Sequence, residues 1–124
     1  MAAFHNLLIG ALLAVASTAN MAATPKSAAA KKSAYGAIAW HRSSGSVGYS
    51  YDFSSARQAG VEALRQCAHP RCEVAIAIHD ECAAVADGPK GFAARKGLTE
   101  TEAQTKALNA CGAGCKPVAW ACTR

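Results

Sequence analysis

The sequence predicts an α+β domain made of a duplicated ββαβ unit, with six short, mainly antiparallel strands, two amphipathic helices and disulfide staples. Three observations predict it. A helix-plus-cysteine unit occurs twice, as residues 59–67 followed by Cys72 and as residues 103–111 followed by Cys115, at an offset of 44 residues. Each copy is preceded by two strand-like runs and followed by one. Six cysteines in 124 residues is an even count in a short chain, which reads as a disulfide framework. The apolar share is 52%, but much of it is alanine, so large core-filling side chains are scarce. A small domain of that composition needs covalent help.

The chain opens on a segment with an address rather than a fold. Residues 1–23 contain no Lys, Arg, Asp or Glu, and residues 7–16 form a ten-residue apolar run. That run has the length of a signal-peptide core and falls short of the roughly 20 residues a bilayer span takes. Ala19, Ala22 and Ala23 supply small residues for cleavage, although the basic residue that usually precedes the run is missing. Residues 1–23 are therefore read as a signal peptide, and the protein as secreted or periplasmic, without a membrane span in its mature form. Residues 24–34, rich in Ala, Ser and Lys, read as a flexible basic linker. The formal charge is +5, but Lys26, Lys31 and Lys32 lie in that linker. From residue 35 onward 10 basic and 8 acidic residues nearly cancel, so no specific nucleic-acid partner is indicated.

Residues 35–124 read as one domain of two repeats, about 35–80 and 81–124. In the first, residues 35–40 form a strand, residues 43–46 a turn and residues 47–51 the returning strand. Ser55 and Gln58 fit a capping box. Ala56, Ala59, Gly60, Ala63, Leu64 and Cys67 follow as one helical stripe of small residues, which suits a helix lying close on a sheet. Pro70 stops the helix. Residues 73–79 form a third strand with Val74, Ile76 and Ile78 on one face. In the second repeat, residues 82–86 form a strand, 87–90 a turn and 91–94 a short return. Thr99 and Glu102 make another capping box, with Leu98 placed to staple onto Ala103. Ala103, Ala107, Leu108 and Cys111 repeat the helical stripe, and residues 116–122 close the chain as a strand. Pro117 lacks a donor and belongs at a strand start or edge.

Repeat symmetry favours pairing Cys67 with Cys72 and Cys111 with Cys115, and Cys82 and Cys122 remain to bridge each other. The competing reading is a zinc site from Cys67, Cys72, Cys111 and Cys115. Their spacings are looser than the usual C-x-x-C, and an exported chain meets an oxidising compartment. No C-x-x-C redox motif is present.

Candidates for chemistry are sparse. His79, Asp80 and Glu81 form the densest polar cluster, and they fall where a loop between the repeats is expected. His41 lies near Ser43, but without a nucleophile elbow or a third triad member. No phosphate-binding glycine loop, zinc-protease motif or calcium loop occurs, and no cofactor is implied. Trp40, His41, Tyr49, Tyr51 and His79 are the candidate interaction surface, since exposed aromatics make natural binding anchors.

Several of these features resemble one family. They are residues 35–39 (YGAIA), Gly48-Tyr49-Ser50, the Ala63-Leu64-x-x-Cys67 helix end, Cys72 before an apolar strand, residues 82–86 (CAAVA), and Ala107-Leu108-x-x-Cys111. Together they resemble the bacterial "domain of unknown function 4189" family of small exported proteins over roughly residues 35–123. The resemblance implies an exported, disulfide-bonded α/β domain and brings no catalytic residues. Family members often carry a small or polar residue and a Trp after the glycine of the second strand. Here Tyr49 and Tyr51 occupy that region. The expectation is a noncatalytic interaction module binding a protein partner or envelope component, in an effector, inhibitor or immunity-type role. The alternatives are a small hydrolase or nuclease using His41, His79 and Asp80, and an anionic-surface or nucleic-acid binder using the basic tail.

Overall fold

The computed structural model describes residues 33–123. The expected signal peptide, and the expected linker up to residue 32, lie outside the described residues. The first hairpin is β1 (Tyr35–His41) and β2 (Ser46–Phe53), joined by a turn that Gly45 closes at φ 75°. Helix α1 (Ala56–Cys67) follows, and then β3 (Glu73–His79), which pairs with the other side of β1. The order repeats as β4 (Cys82–Gly88), β5 (Gly91–Gly97), α2 (Glu100–Cys111) and β6 (Lys116–Cys122). All pairing is antiparallel, giving two three-stranded sheets ordered β2-β1-β3 and β5-β4-β6.

Side-chain alternation on the two central strands makes four layers. Ala37 and Ala39 of β1 face Ala59, Ala63 and Cys67 of α1. Ile38 and Trp40 face the other way, onto Ala83 and Val85 of β4. Cys82, Ala84 and Ala86 then face Ala103 and Ala107 of α2. The order through the molecule is helix, sheet, sheet, helix, with the larger apolar side chains between the sheets. β2 lies against β6, β1 against β4 and β3 against β5. Methyl-sized contacts let each helix sit very close to its sheet. At Gly48 of β2 a Cβ would collide with the Ala63 carbonyl and the Cys67 amide of α1. Buried Ser50 adds a hydrogen bond from its hydroxyl to the Ala59 carbonyl, 2.6 Å.

Both helices start at the expected caps, but the boxes close differently. Ser55 Oγ accepts from the Gln58 amide at 3.2 Å, while the Gln58 side chain accepts from Ser54 Oγ instead of returning to the cap backbone. Thr99 Oγ1 accepts from the Glu102 amide, and Glu102 reaches Leu98 N–H, one residue earlier than a standard box. The Leu98 side chain is 74% exposed, so the expected staple onto Ala103 is not made. Helix α1 ends before Pro70, at Ala68, which takes a left-handed conformation at φ 54°.

Strand β3 departs from the expected single apolar face. Its pairing with β1 slips between Ile38 and Ala39, so Ala75 is bulged out of register. Ile76 and Ile78 keep facing the inter-sheet core, while Val74 is turned opposite Ala39, beside α1, and is 41% exposed. β6 has the same bulge at the equivalent place, Val118, between the partners of Val85 and Ala86. The duplication therefore extends to an irregularity. Pro117 sits one residue into edge strand β6, where a missing donor is tolerated.

All six cysteines are paired within the expected sets: Cys67–Cys72, Cys82–Cys122 and Cys111–Cys115, with Cα separations of 6.3, 4.0 and 6.0 Å. The zinc reading is thereby corrected, because its four sulfurs are consumed in two separate disulfides. The Cys82–Cys122 bridge links directly paired residues of β4 and β6 and closes a loop of 40 residues. Chain entropy puts it at about 4 kcal/mol, against about 2 kcal/mol for each short loop. Replacing Cys82 and Cys122 together by Ala should lower the urea midpoint more than replacing Cys111 and Cys115. Equal losses in the two pairs would contradict the loop-length argument. Gly48→Ala should cost about 1–3 kcal/mol in the same assay, because the added methyl meets α1 backbone rather than the end of a movable side chain.

Candidate functional site

Edge strands β2 and β6 lie over one another, and the mouth between them opens into a groove of about 660 Å³. Val47, Tyr49 and Tyr51 line one wall, and Val118, Ala119, Trp120, Ala121 and Cys122 the other. Val47, Val118 and Ala119 are partly buried against the inter-sheet core and form its base. Tyr49, Tyr51 and Trp120 are 46%, 56% and 45% exposed. The two tyrosine rings stand 6.5 Å apart with planes 19° from parallel. Among the described residues, none that lines the groove carries a charge or a reactive nucleophile.

Local backbone chemistry shapes the β2 wall. Pairing with β1 jumps from Ser50–Ala37 to Phe53–Tyr35, so Tyr51 and Asp52 together oppose Gly36 alone. This is a bulge, with Asp52 in a left-handed conformation at φ 59°. Gly36 gives it room, since a Cβ there would meet the Ser50 carbonyl and the Thr123 methyl group. The β4–β5 hairpin runs without any such shift. On the β6 wall, Trp120 occupies the position that Ala77 holds in β3. Both features are absent from the other copy, so the groove belongs to what the two repeats do not share.

The residues singled out for function separate. Trp40 is only 8% exposed and packs in the inter-sheet core, edge-on to Phe92 at 5.0 Å. It is a core residue, because it shares a face of β1 with Ile38. His41 stacks on His69, with its Nδ1 2.8 Å from Ser44 Oγ. His79 stacks on Tyr35 at 4.4 Å, and its Nε2 lies 3.2 Å from Asp80. Tyr35, the cross-strand partner of His79, is at the opposite end of β1 from His41. Six residues of strand put the two histidines roughly 20 Å apart, too far for a shared catalytic role. Asp80 is structural: its carboxylate accepts from Ala34 N–H at 2.7 Å and its own N–H donates to the Ala34 carbonyl. Ala34 is buried and also accepts from the Thr123 hydroxyl, so the fold begins one residue inside the expected linker.

Sequence reasoning missed Trp120, which read as one more strand residue. The signal was a Trp where the aligned repeat has Ala. It also missed Phe92, 52% exposed, with the Arg42 guanidinium 5.3 Å from its ring centroid. Arg42 reaches across the sheets to Asp87, 2.9 Å away, and to the Gly88 carbonyl.

The perturbed carboxylates lie on the helices, away from the groove. Hydrogen bonds from Arg65 and then Gln66 hold Glu62 at about 2, below its ordinary 4.5. Lys106, and then the Leu98 N–H, hold Glu102 below the usual carboxylate range. A carboxyl depressed in the fold supports stability above its ordinary value, and that support fades as pH falls toward about 2. Arg65→Leu should move the Glu62 midpoint upward toward 4.5 in a carboxyl NMR titration. A midpoint left in place would assign the shift to another source.

The sequence profile described as "Domain of unknown function (DUF4189)" matches residues 35–122. The chain belongs to the DUF4189 family. No curated protein matches it. Among solved structures, the DUF4189 domain here is similar to the NMR structure of Rv1813c from Mycobacterium tuberculosis. Identity is 31%, with a TM-score of 0.57 over 72% of this chain and 74% of that one. Among the described residues, no helix is long and apolar enough to cross a membrane.

Proposed function

We propose that this DUF4189 protein is an exported, noncatalytic interaction module that seats an apolar, extended segment of a protein partner between β2 and β6. The carrying observation is the uncharged aromatic groove, built where the two repeats differ. A charged ligand would lose hydration there without gaining an ion pair. An apolar peptide gains burial against Tyr49, Tyr51 and Trp120, and among the described residues β2 and β6 each pair with a neighbour on one side only, leaving an edge for strand addition. Three disulfides around a small alanine core give the rigid scaffold such a site needs, and they suit an oxidising compartment such as the periplasm or the exterior. An effector, inhibitor or immunity-type role all use this property. The separation of His41 from His79 weighs against the hydrolase reading.

A photo-crosslinking residue placed at Tyr49 in the producing cell tests the proposal. The expected result is one reproducible protein adduct that Trp120→Ala or Tyr51→Ser weakens at least tenfold, about 1.4 kcal/mol or more for a buried aromatic anchor. Circular dichroism should show both variants folded. The same probe at Val61, on the outer face of α1, should give no such adduct. Adducts to lipid, to glycan or to a second copy, or a protein adduct indifferent to Trp120, would overturn the reading.

A further inference from the structure

A histidine pair outside the groove joins two turns. His41, at the end of β1, lies face to face with His69, ring centroids 4.0 Å apart and planes 9° from parallel. His69 belongs to the turn between Cys67 and Cys72, so the stack holds that turn against the first sheet. The Arg71 N–H donates to His69 Nδ1 at 3.0 Å. That nitrogen must therefore present a lone pair, and the single ring proton sits on Nε2. His41 Nδ1 meets the Ser44 hydroxyl. Neither of these ring-nitrogen partners is an anion.

The charged groups around the pair are mixed. Arg42 and Arg71 come from the two turns and Glu73 from β3, and all three line the same shallow depression of about 200 Å³. Arg42 is bound to Asp87 of β4. On α1, which leads into the turn, Glu62 and Arg65 pair with each other. Protonating His69 at Nδ1 would set two donors, the ring N–H and the Arg71 N–H, against one another. Protonating both rings would stack two cations at contact distance, beside Arg71, Glu73 and the Arg42–Asp87 pair. The turn also begins at Ala68, whose left-handed φ of 54° is held against the preference of a residue with a Cβ.

We propose that the His41–His69 stack is an acid-operated latch on the Cys67–Cys72 turn. With neutral rings the stack and the Arg71 bond hold the turn down. In mild acid the added protons remove the Arg71 bond and drive the rings apart, and the turn swings outward. The disulfide keeps both ends anchored, so the motion is confined to residues 68–71. It withdraws Arg71 from the wall of the depression beside Trp40 and Phe92.

Hydrogen exchange of the Arg71 amide, followed by NMR on the disulfide-bonded protein from about pH 7.5 to about pH 4.5, reads the latch directly. After correction for intrinsic exchange, protection of the wild-type amide should fall about tenfold across that range. His69→Asn keeps an acceptor near the Nδ1 position without a titrating ring, and its protection should stay level. His41→Phe keeps a stacked ring without the second charge, and its fall should be smaller than that of wild type. Wild-type protection unchanged at the acid end, or an equal fall in His69→Asn, would overturn the proposal.

Discussion

The methyl groups of Ala37, Ala39, Ala59 and Ala63 set the distance between α1 and its sheet, and the rest of the structure depends on that spacing. With alanine on both sides, the helix comes close enough that β2 must place a glycine, Gly48, beneath it. Ala84, Ala86, Ala103 and Ala107 impose the same closeness on α2. Each helix–sheet layer then buries little apolar surface per residue. The larger side chains, Ile38, Ile78 and Val85, are left to the space between the sheets. At roughly 1.5–3 kcal/mol for each fully buried side chain, so few of them make a thin core. The staples follow from that shortage. The two short disulfides fasten each helix end to the strand that follows it, and Cys82–Cys122 fastens the second sheet across its own strands.

That economy has a consequence for function. A duplicated layer design has few positions free to vary, because most residues on β1, β4 and the inner helix faces are fixed by contact. Freedom remains at the edge strands. There the repeats diverge, by the Tyr51–Asp52 bulge in β2 and by Trp120 in β6. Bulges re-aim side chains and interrupt regular pairing, and they are frequent beside working surfaces. The bulges at Ala75 and Val118 are a useful contrast. They occur in both copies, and so belong to the architecture.

The fold was largely legible in the sequence because its signals are local. Helix caps at Ser55 and Thr99, the small-residue stripes and the 44-residue offset all act within one element or one repeat. Disulfide pairing was legible because repeat symmetry favours a bridge within each copy, with Cys82 and Cys122 remaining for each other. What was not legible depends on register. Period-two alternation placed Val74 with Ile76 and Ile78, and a single bulged residue, Ala75, turned it to the opposite face. Leu98 had the spacing of a hydrophobic staple, but Glu102 took its backbone N–H and left the side chain exposed.

The same limit explains the site. Tyr49 and Tyr51 were conspicuous as aromatics on a strand, yet aromatics on a strand are equally the material of a core, as Trp40 shows. Which of them face solvent depends on how the two sheets stack, and no local pattern encodes that. Trp120 joins them only because β6 lies over β2, some 70 residues away along the chain. The histidines tell the converse story. His41 and His79 looked like partners because both end strands, but His79 ends β3 opposite Tyr35, at the far end of β1 from His41. His41 found a different partner, His69, in a turn that the Cys67–Cys72 bridge folds back toward the sheet. In both places the grouping that matters is made by the stapled scaffold, so a functional reading has to start from what the staples bring together.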